Sequence, residues 1–262
     1  MKKIISFIFK YVYALACSVY LFTFGFLSAK NRDLVTAIAV HFGYGRKRDR
    51  SAKLALPAVD FADVISSPPE IRIFEPDWKD GNVSLFELMI MNQWVKSACP
   101  QRIFEMGTFD GRTALNFAAN CGPEAVVYTL DLPREKVNAT GLPIDPGDAK
   151  HIEKDLSGIR YHGRPEEKKI VQLYGDTAAF DFQLYQNAMD LVFIDASHSY
   201  EYVLNDSKVA LDLLKNRKGL ILWHDCGVFP GVTRALNELY AQAKEFHGMK
   251  QIKDTSLVFL EL

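Results

Sequence analysis

Cysteine is scarce in this sequence: Cys17, Cys99, Cys121 and Cys226 are the only four in 262 residues. They form no CxxC pair and show no zinc-type spacing, so a disulfide framework is excluded and reduced thiols are expected. No Gly-Lys-Ser/Thr follows a glycine turn, which excludes a phosphate-binding P-loop. Neither sign of charge dominates, with 31 Lys and Arg against 32 Asp and Glu. A general nucleic-acid binder needs a basic footprint, so no nucleic-acid partner is expected. What is present is a composition typical of globular proteins, 48% hydrophobic and 24% charged. The length suffices for one large α/β domain with a core of its own.

The formal net charge of −1 hides an asymmetry. Residues 1–53 hold ten Lys and Arg and two Asp, a net of +8, and the remainder carries −9. Residues 11–29 are nineteen consecutive uncharged, mostly apolar residues, and Ile4 to Phe9 extend the run upstream of Lys10. About 20 such residues span a bilayer as a helix. Three readings fit residues 4–29: a membrane anchor, a helix packed on the body or in a homo-oligomer, and a cleaved signal. For an anchor, the heavier basic flank downstream puts the body on the cytoplasmic side of the inner membrane. Otherwise the chain is simply cytoplasmic. The expected organisation is an apolar helix over 1–30, a basic segment and linker over 31–80, and a catalytic domain over 81–262.

In the body, strand-like runs alternate with helical ones. The spacing Ser84-x-x-Glu87 predicts a capped helix to about Lys96. Strands are expected at 102–105, 125–130, 170–174, 190–194, 220–223 and 256–260. Further helices are expected at 112–120, 200–214 and 231–246. This alternation implies a mainly parallel sheet with helices on both faces. Between the second and third strands, Leu132–Lys169 is longer than a crossover needs, so it is read as a substrate-covering insertion or a surface loop, with a short helix near 148–156.

The strongest motif is Glu105-Met-Gly107-Thr108-Phe109-Asp110-Gly111-Arg112-Thr113, which follows a strand and opens a helix. Gly107 permits a tight turn, and Gly111 lets a ligand approach the helix start. The pattern E-x-G-x-x-x-G lacks the middle glycine of a dinucleotide fingerprint. It resembles motif I of the class I S-adenosylmethionine-dependent methyltransferases. Later phrases fall in order: Thr129-Leu130-Asp131, Gly175-Asp176-Thr177, the run from Phe193 through Asp195 and His198 to Glu201, and Trp223-His224-Asp225-Cys226. The last two resemble methyltransferase family 24, to which macrocin-type sugar O-methyltransferases and cephalosporin-hydroxylase-like proteins are related. The resemblance covers roughly 80–262. It implies a seven-stranded sheet with an antiparallel last strand, and S-adenosylmethionine as cofactor. It implies cofactor contacts from Glu105, Gly107, Thr108, Asp110, Gly111, Thr113, Asp131, Asp176, Thr177 and Asp195. Asp131 would take the ribose hydroxyls, since a carboxylate offers two acceptor oxygens to a vicinal diol.

Methyl transfer to a hydroxyl needs alignment and help with the proton. The catalytic candidates are Asp195, His198, His224 and Asp225. Related O-methyltransferases hold a divalent cation such as Mg2+ on carboxylates matching Asp195 and Asp225. Their third ligand is an Asn, where this chain has Cys226, a poor partner for magnesium. His198 or His224 could complete another site or act as base. Glu87 completes a helix cap or joins the cofactor site, Trp223 is read as packing, and His151, Arg160 and His162 could touch substrate. The expected acceptor is a sugar, polyol or other small-molecule hydroxyl, with a lipid-linked glycan precursor of the envelope as one candidate. The alternatives are a non-catalytic cofactor-binding scaffold and a hydroxylase-like enzyme on the same fold.

Overall fold

The computed structural model describes residues 2–41, 54–77 and 79–262. The chain divides into two compact units, Met1–Asp49 and Arg50–Leu262. In the first, α1 (Lys2–Phe22) is a 21-residue helix, followed by a 3-10 turn at Phe24–Leu27 and by α2 (Ala29–His41). At about 1.5 Å per residue α1 is long enough to cross the hydrocarbon core of a bilayer. Its window Ile5–Phe22 has a mean hydropathy of 1.7, and none of that window is buried. The apolar run expected to continue to residue 29 breaks at this turn, where the Asn31 side-chain amide donates to the Gly25 carbonyl at 2.8 Å. The basic stretch at 46–53 lies outside the described residues.

The body contains β1 (Ala58–Val59), α3 (Phe61–Val64), α4 (Leu85–Ala98), β2 (Arg102–Met106), α5 (Arg112–Asn120), β3 (Val126–Asp131), α6 (Ala149–Ile152) and β4 (Ile170–Tyr174). It continues through β5 (Leu191–Ile194), α7 (Tyr200–Leu213), β6 (Leu220–Trp223), α8 (Pro230–Gln242), β7 (Lys250–Ile252) and β8 (Val258–Glu261). These form one eight-stranded sheet in the order β1-β7-β8-β6-β5-β2-β3-β4. Only β8 runs antiparallel, against both β6 and β7. The sheet is α/β and mostly parallel, as expected, with eight strands rather than seven. The strands that patterning missed are β1 and β7, two and three residues long, too short to show a period. Part of the segment read as a linker therefore belongs to the body. Beyond β1, Asn120 and Asn116 hold the backbone of Arg72 and Phe74.

Alternation along the strands builds two cores. Phe104, Met106, Val192, Ile194, Ile221 and Trp223 face one side, with Val203 and Ala210 of α7 and Leu236 of α8. Ile103, Leu191, Phe193 and Leu222 face the other, with Leu88 and Met91 of α4 and Leu115 of α5. Because strands buried on both faces cannot alternate with polar residues, β5 and β6 are wholly apolar. The order reverses on either side of β2, which opens a crevice at the carboxyl ends of β2, β3 and β5, the place where such sheets bind ligands.

Candidate active site

The glycine turn leaves β2 at this crevice. Gly107 sits at φ +98°, and a Cβ there would strike the Asp195 carbonyl. Glycine is thus required for the end of β2 to pass against the end of β5. Gly111, at φ +82°, is the N-cap of α5. Sequence reasoning expected a ligand to approach Gly111, but the Leu132–Lys169 insertion packs there instead. A Cβ on Gly111 would lie 2.6 Å from the Gly158 Cα and 2.7 Å from the Tyr161 ring.

Several expected cofactor contacts are engaged inside the protein. Glu105 is buried and accepts a hydrogen bond from Thr129, while its Oε1 has no partner among the described residues. Burial, reinforced by Asp195, Asp131 and Asp110, pushes its carboxyl well above the usual range. Thr108 shares a hydrogen bond with Thr129 at 2.7 Å and accepts another from Gln172 at 3.0 Å. Asp110 takes the Arg112 amide, the Asn82 amide group and the Arg160 guanidinium. Asp176 accepts from the Gly141 and Ala178 amides and from the Tyr202 hydroxyl. Thr177 is buried, and its carbonyl accepts from Asn205 at 3.3 Å. Thr113 is half-buried in the first turn of α5. Asp131, ending β3, accepts from Lys154 at 2.8 Å and from Ser157, both through Oδ2. Neither of these bonds uses Oδ1.

The four catalytic candidates do come together. His198 Nδ1 lies 2.5 Å from Asp148 Oδ1, and Nε2 lies 3.0 Å from Asp225 Oδ2 and 3.9 Å from Asp195 Oδ1. The His198 ring stacks on Phe229 with centroids 3.9 Å apart. His224 Nδ1 lies 3.0 Å from Asp195 Oδ1 and 3.6 Å from Asp225 Oδ2, and its Nε2 lies 3.4 Å from Glu87 Oε2. Each histidine is thus a bridge between a remote carboxylate and one at the sheet edge. Burial disfavours the charged imidazoles, but the carboxylates outweigh it. His198 is pushed up to about 10, and His224 is raised well above the usual histidine range. In both, the neighbouring carboxylates favour the protonated ring. Four carboxylates, Asp148, Asp225, Asp195 and Glu87, surround the two imidazoles of this cluster.

Glu87 performs the first of the roles expected of it and adds a contact to His224. It closes the capping box with Ser84 at the start of α4, and it holds His224. Burial opposes its ionisation, yet His224 and the Ser256 and Ser84 amides bring its carboxyl below the usual range. Asp225 adopts φ +62°, a conformation rarely seen in non-glycine residues and one that tends to occur at functional sites. Cys226 faces the core and burial pushes its thiol up to about 12, which removes it as a metal ligand. Trp223 is packing, its indole donating to Ser207 at 2.9 Å. Of the three insertion candidates, His151 lies edge-on to Phe109 at the glycine turn. Arg160 clamps Asp110 and Glu75, and His162 pairs with Glu167 at the surface. Sequence reasoning missed Asp148 as a site residue. It is buried and accepts from the Ser197 hydroxyl at 2.8 Å and the His198 amide at 3.0 Å. Only the folding of the insertion brings it there.

Residues 104–226 match the family described as "Methyltransferase domain". The sheet resembles that of a Podospora anserina methyltransferase solved with S-adenosylhomocysteine, at 17% identity and a TM-score of 0.50, covering 70% of this chain and 80% of that one. Also similar is an O-methyltransferase of Streptomyces achromogenes involved in tomaymycin synthesis. It is 15% identical, with a TM-score of 0.49, and the match covers 77% of this chain and 93% of the other. No curated relative matches. The methyltransferase match spans β2 through Cys226, the stretch that carries the glycine turn, Asp131 and the histidine bridges.

Proposed function

We propose that the methyltransferase domain binds S-adenosylmethionine in the β2–β3–β5 crevice and methylates a hydroxyl of a sugar or polyol. The observation that carries this reading is the alignment of the glycine turn, the Asp131 carboxylate and the acid–histidine cluster along one sheet edge. When bound, the cofactor supplies a methyl group on a positively charged sulfur. Asp131 Oδ1 offers an acceptor to its ribose diol, and the Thr113 hydroxyl is available at the helix start. The four carboxylates of the cluster favour a cationic ligand beside it.

The histidines do not take the acceptor proton in their charged state. Asp225 is the acceptor-facing carboxylate, with His198 held against it, and that pair orients the hydroxyl and receives its proton. Asp195, His224 and Asp225 offer an oxygen, a nitrogen and an oxygen within 4.8 Å of one another. That set fits a divalent cation, with Asp195 and Asp225 as its carboxylates. Bound there, such an ion would polarise the acceptor hydroxyl. His224 would take the place in the donor set that Cys226 cannot fill, once it gives up the proton that its carboxylate neighbours favour.

For the acceptor, the exposed apolar α1 favours a lipid-linked glycan met at the cytoplasmic face of the inner membrane. Incubation with deuteromethyl-labelled cofactor and an envelope glycolipid extract tests the reading. The wild type should transfer label to a lipid-linked sugar, and Asp225→Asn should bind S-adenosylhomocysteine normally but lose at least about a hundredfold in rate. Unchanged transfer by Asp225→Asn would refute the proton role.

A further inference from the structure

The insertion does more than cover the crevice; it occupies groups that a cofactor needs. Lys154 and Ser157 both bond Oδ2 of Asp131, and the Lys154–Asp131 pair is largely buried, at 15% and 8% side-chain exposure. The Gly158 amide donates to the Phe109 carbonyl at 3.0 Å, and the Arg160 amide to the Asp110 carbonyl at 3.0 Å. Tyr161 lies against Gly111 and donates to Gln172 at 2.5 Å. Residues 154–161 therefore form a strap across the glycine turn and the end of β3. A second clasp fastens α6. Lys150 pairs with Asp80, and His151 packs on Gly81 and Phe109.

We infer that Lys154 and Ser157 are gating residues that set cofactor affinity by competing for Asp131. The inference rests on the proposal above that Asp131 receives the ribose diol. With the ammonium and the hydroxyl filling the two acceptor sites of Oδ2, the diol bonds Asp131 through both oxygens only when at least one of them withdraws. Their withdrawal takes the strap with them, because Gly158 and Arg160 follow within six residues. The closed conformation is then a state from which the cofactor must select an open minority, so its apparent affinity is lowered by the fraction closed. Removing Lys154 leaves a buried carboxylate short of a partner, which raises that open fraction.

The test is calorimetric titration of the full-length wild type, Lys154→Ala and Ser157→Ala with S-adenosylhomocysteine. Hydrogen exchange is followed at the Gly158 and Arg160 amides. Competition predicts about tenfold tighter binding by Lys154→Ala, a smaller gain for Ser157→Ala, and faster exchange at both amides when ligand is added to the wild type. Binding by the wild type with weaker or equal binding by Lys154→Ala overturns the gate and leaves the methyltransferase reading intact. Slower exchange at both amides on ligand addition likewise overturns the gate. Failure of all three proteins to bind overturns both.

Discussion

Asp148 and His198 face each other at 2.5 Å, although fifty residues separate them in sequence. Asp148 also accepts from the backbone amide of His198 and the hydroxyl of Ser197, so one carboxylate of the insertion fixes the whole turn after β5. On its other side His198 reaches Asp225. The insertion is thereby tied to the reacting edge of the sheet at one point, and at a second through Asp131.

The first prediction concerns pH and follows from the sign of this pairing. An unfolded histidine titrates near 6.5, whereas folded His198 titrates at about 10. Its contribution to stability is complete below about 6.5 and is lost as pH rises toward 10. Urea unfolding of the full-length protein should show stability falling across that window. Asp148→Ala, which removes one of the two carboxylates that raise His198, should lower stability at pH 7 and flatten the decline. A decline unaltered by Asp148→Ala would contradict the pairing.

Asp206 gives a prediction of opposite practical consequence. It is fully buried on α7 and bonded by Asn205 through Oδ1, and burial, opposed by the Asn205 and Thr177 side chains, pushes its carboxyl up to about 7. A carboxyl raised in the folded state contributes stability below its unfolded value, near 4, that is lost as pH rises through 7. Asp206→Asn should therefore raise the melting temperature at pH 8 and leave it little changed at pH 5. Equal effects at the two pH values would contradict the burial argument.

Glycine substitutions separate conformational strain from collision. Gly107→Ala adds a Cβ that meets the Asp195 carbonyl in a left-handed conformation, and should destabilise by more than about 3 kcal/mol. Gly163→Ala, at φ +75° with nothing within 4 Å, should cost only about 1 kcal/mol, the left-handed penalty alone. Thermal unfolding compares them, and equal losses would show that the close approach of β2 to β5 is not what demands glycine.

The parts of this account that were legible in sequence share a cause. Gly107, Asp131, Asp195 and Asp225 sit at strand ends, and a strand end is marked locally by an apolar run meeting a turn residue. That is why the sheet edge could be read from pattern, while the roles expected of these residues came from the family resemblance. Asp148, Lys154 and Ser157 could not. They reach Asp131 and His198 only through the fold of a long insertion that has no period. The pairings of His198 and His224 with Asp148 and Glu87 were hidden for the same reason, since those carboxylates come from distant segments. Spacing also could not show that Asp110 and Asp176 have their oxygens taken by the protein's own amides.

The arm makes its own prediction. Full-length protein should sediment with vesicles of mixed anionic lipid, and a chain beginning at residue 54 should not. Equal sedimentation of both would remove the anchor reading of α1.

The central claim is that Asp131 and the glycine turn receive S-adenosylmethionine, and calorimetry with S-adenosylhomocysteine tests it most directly. The account predicts saturable one-to-one binding by the wild type and at least about tenfold weaker binding by Asp131→Ala. No binding by the wild type or by Lys154→Ala, or equal binding by the wild type and Asp131→Ala, would contradict it.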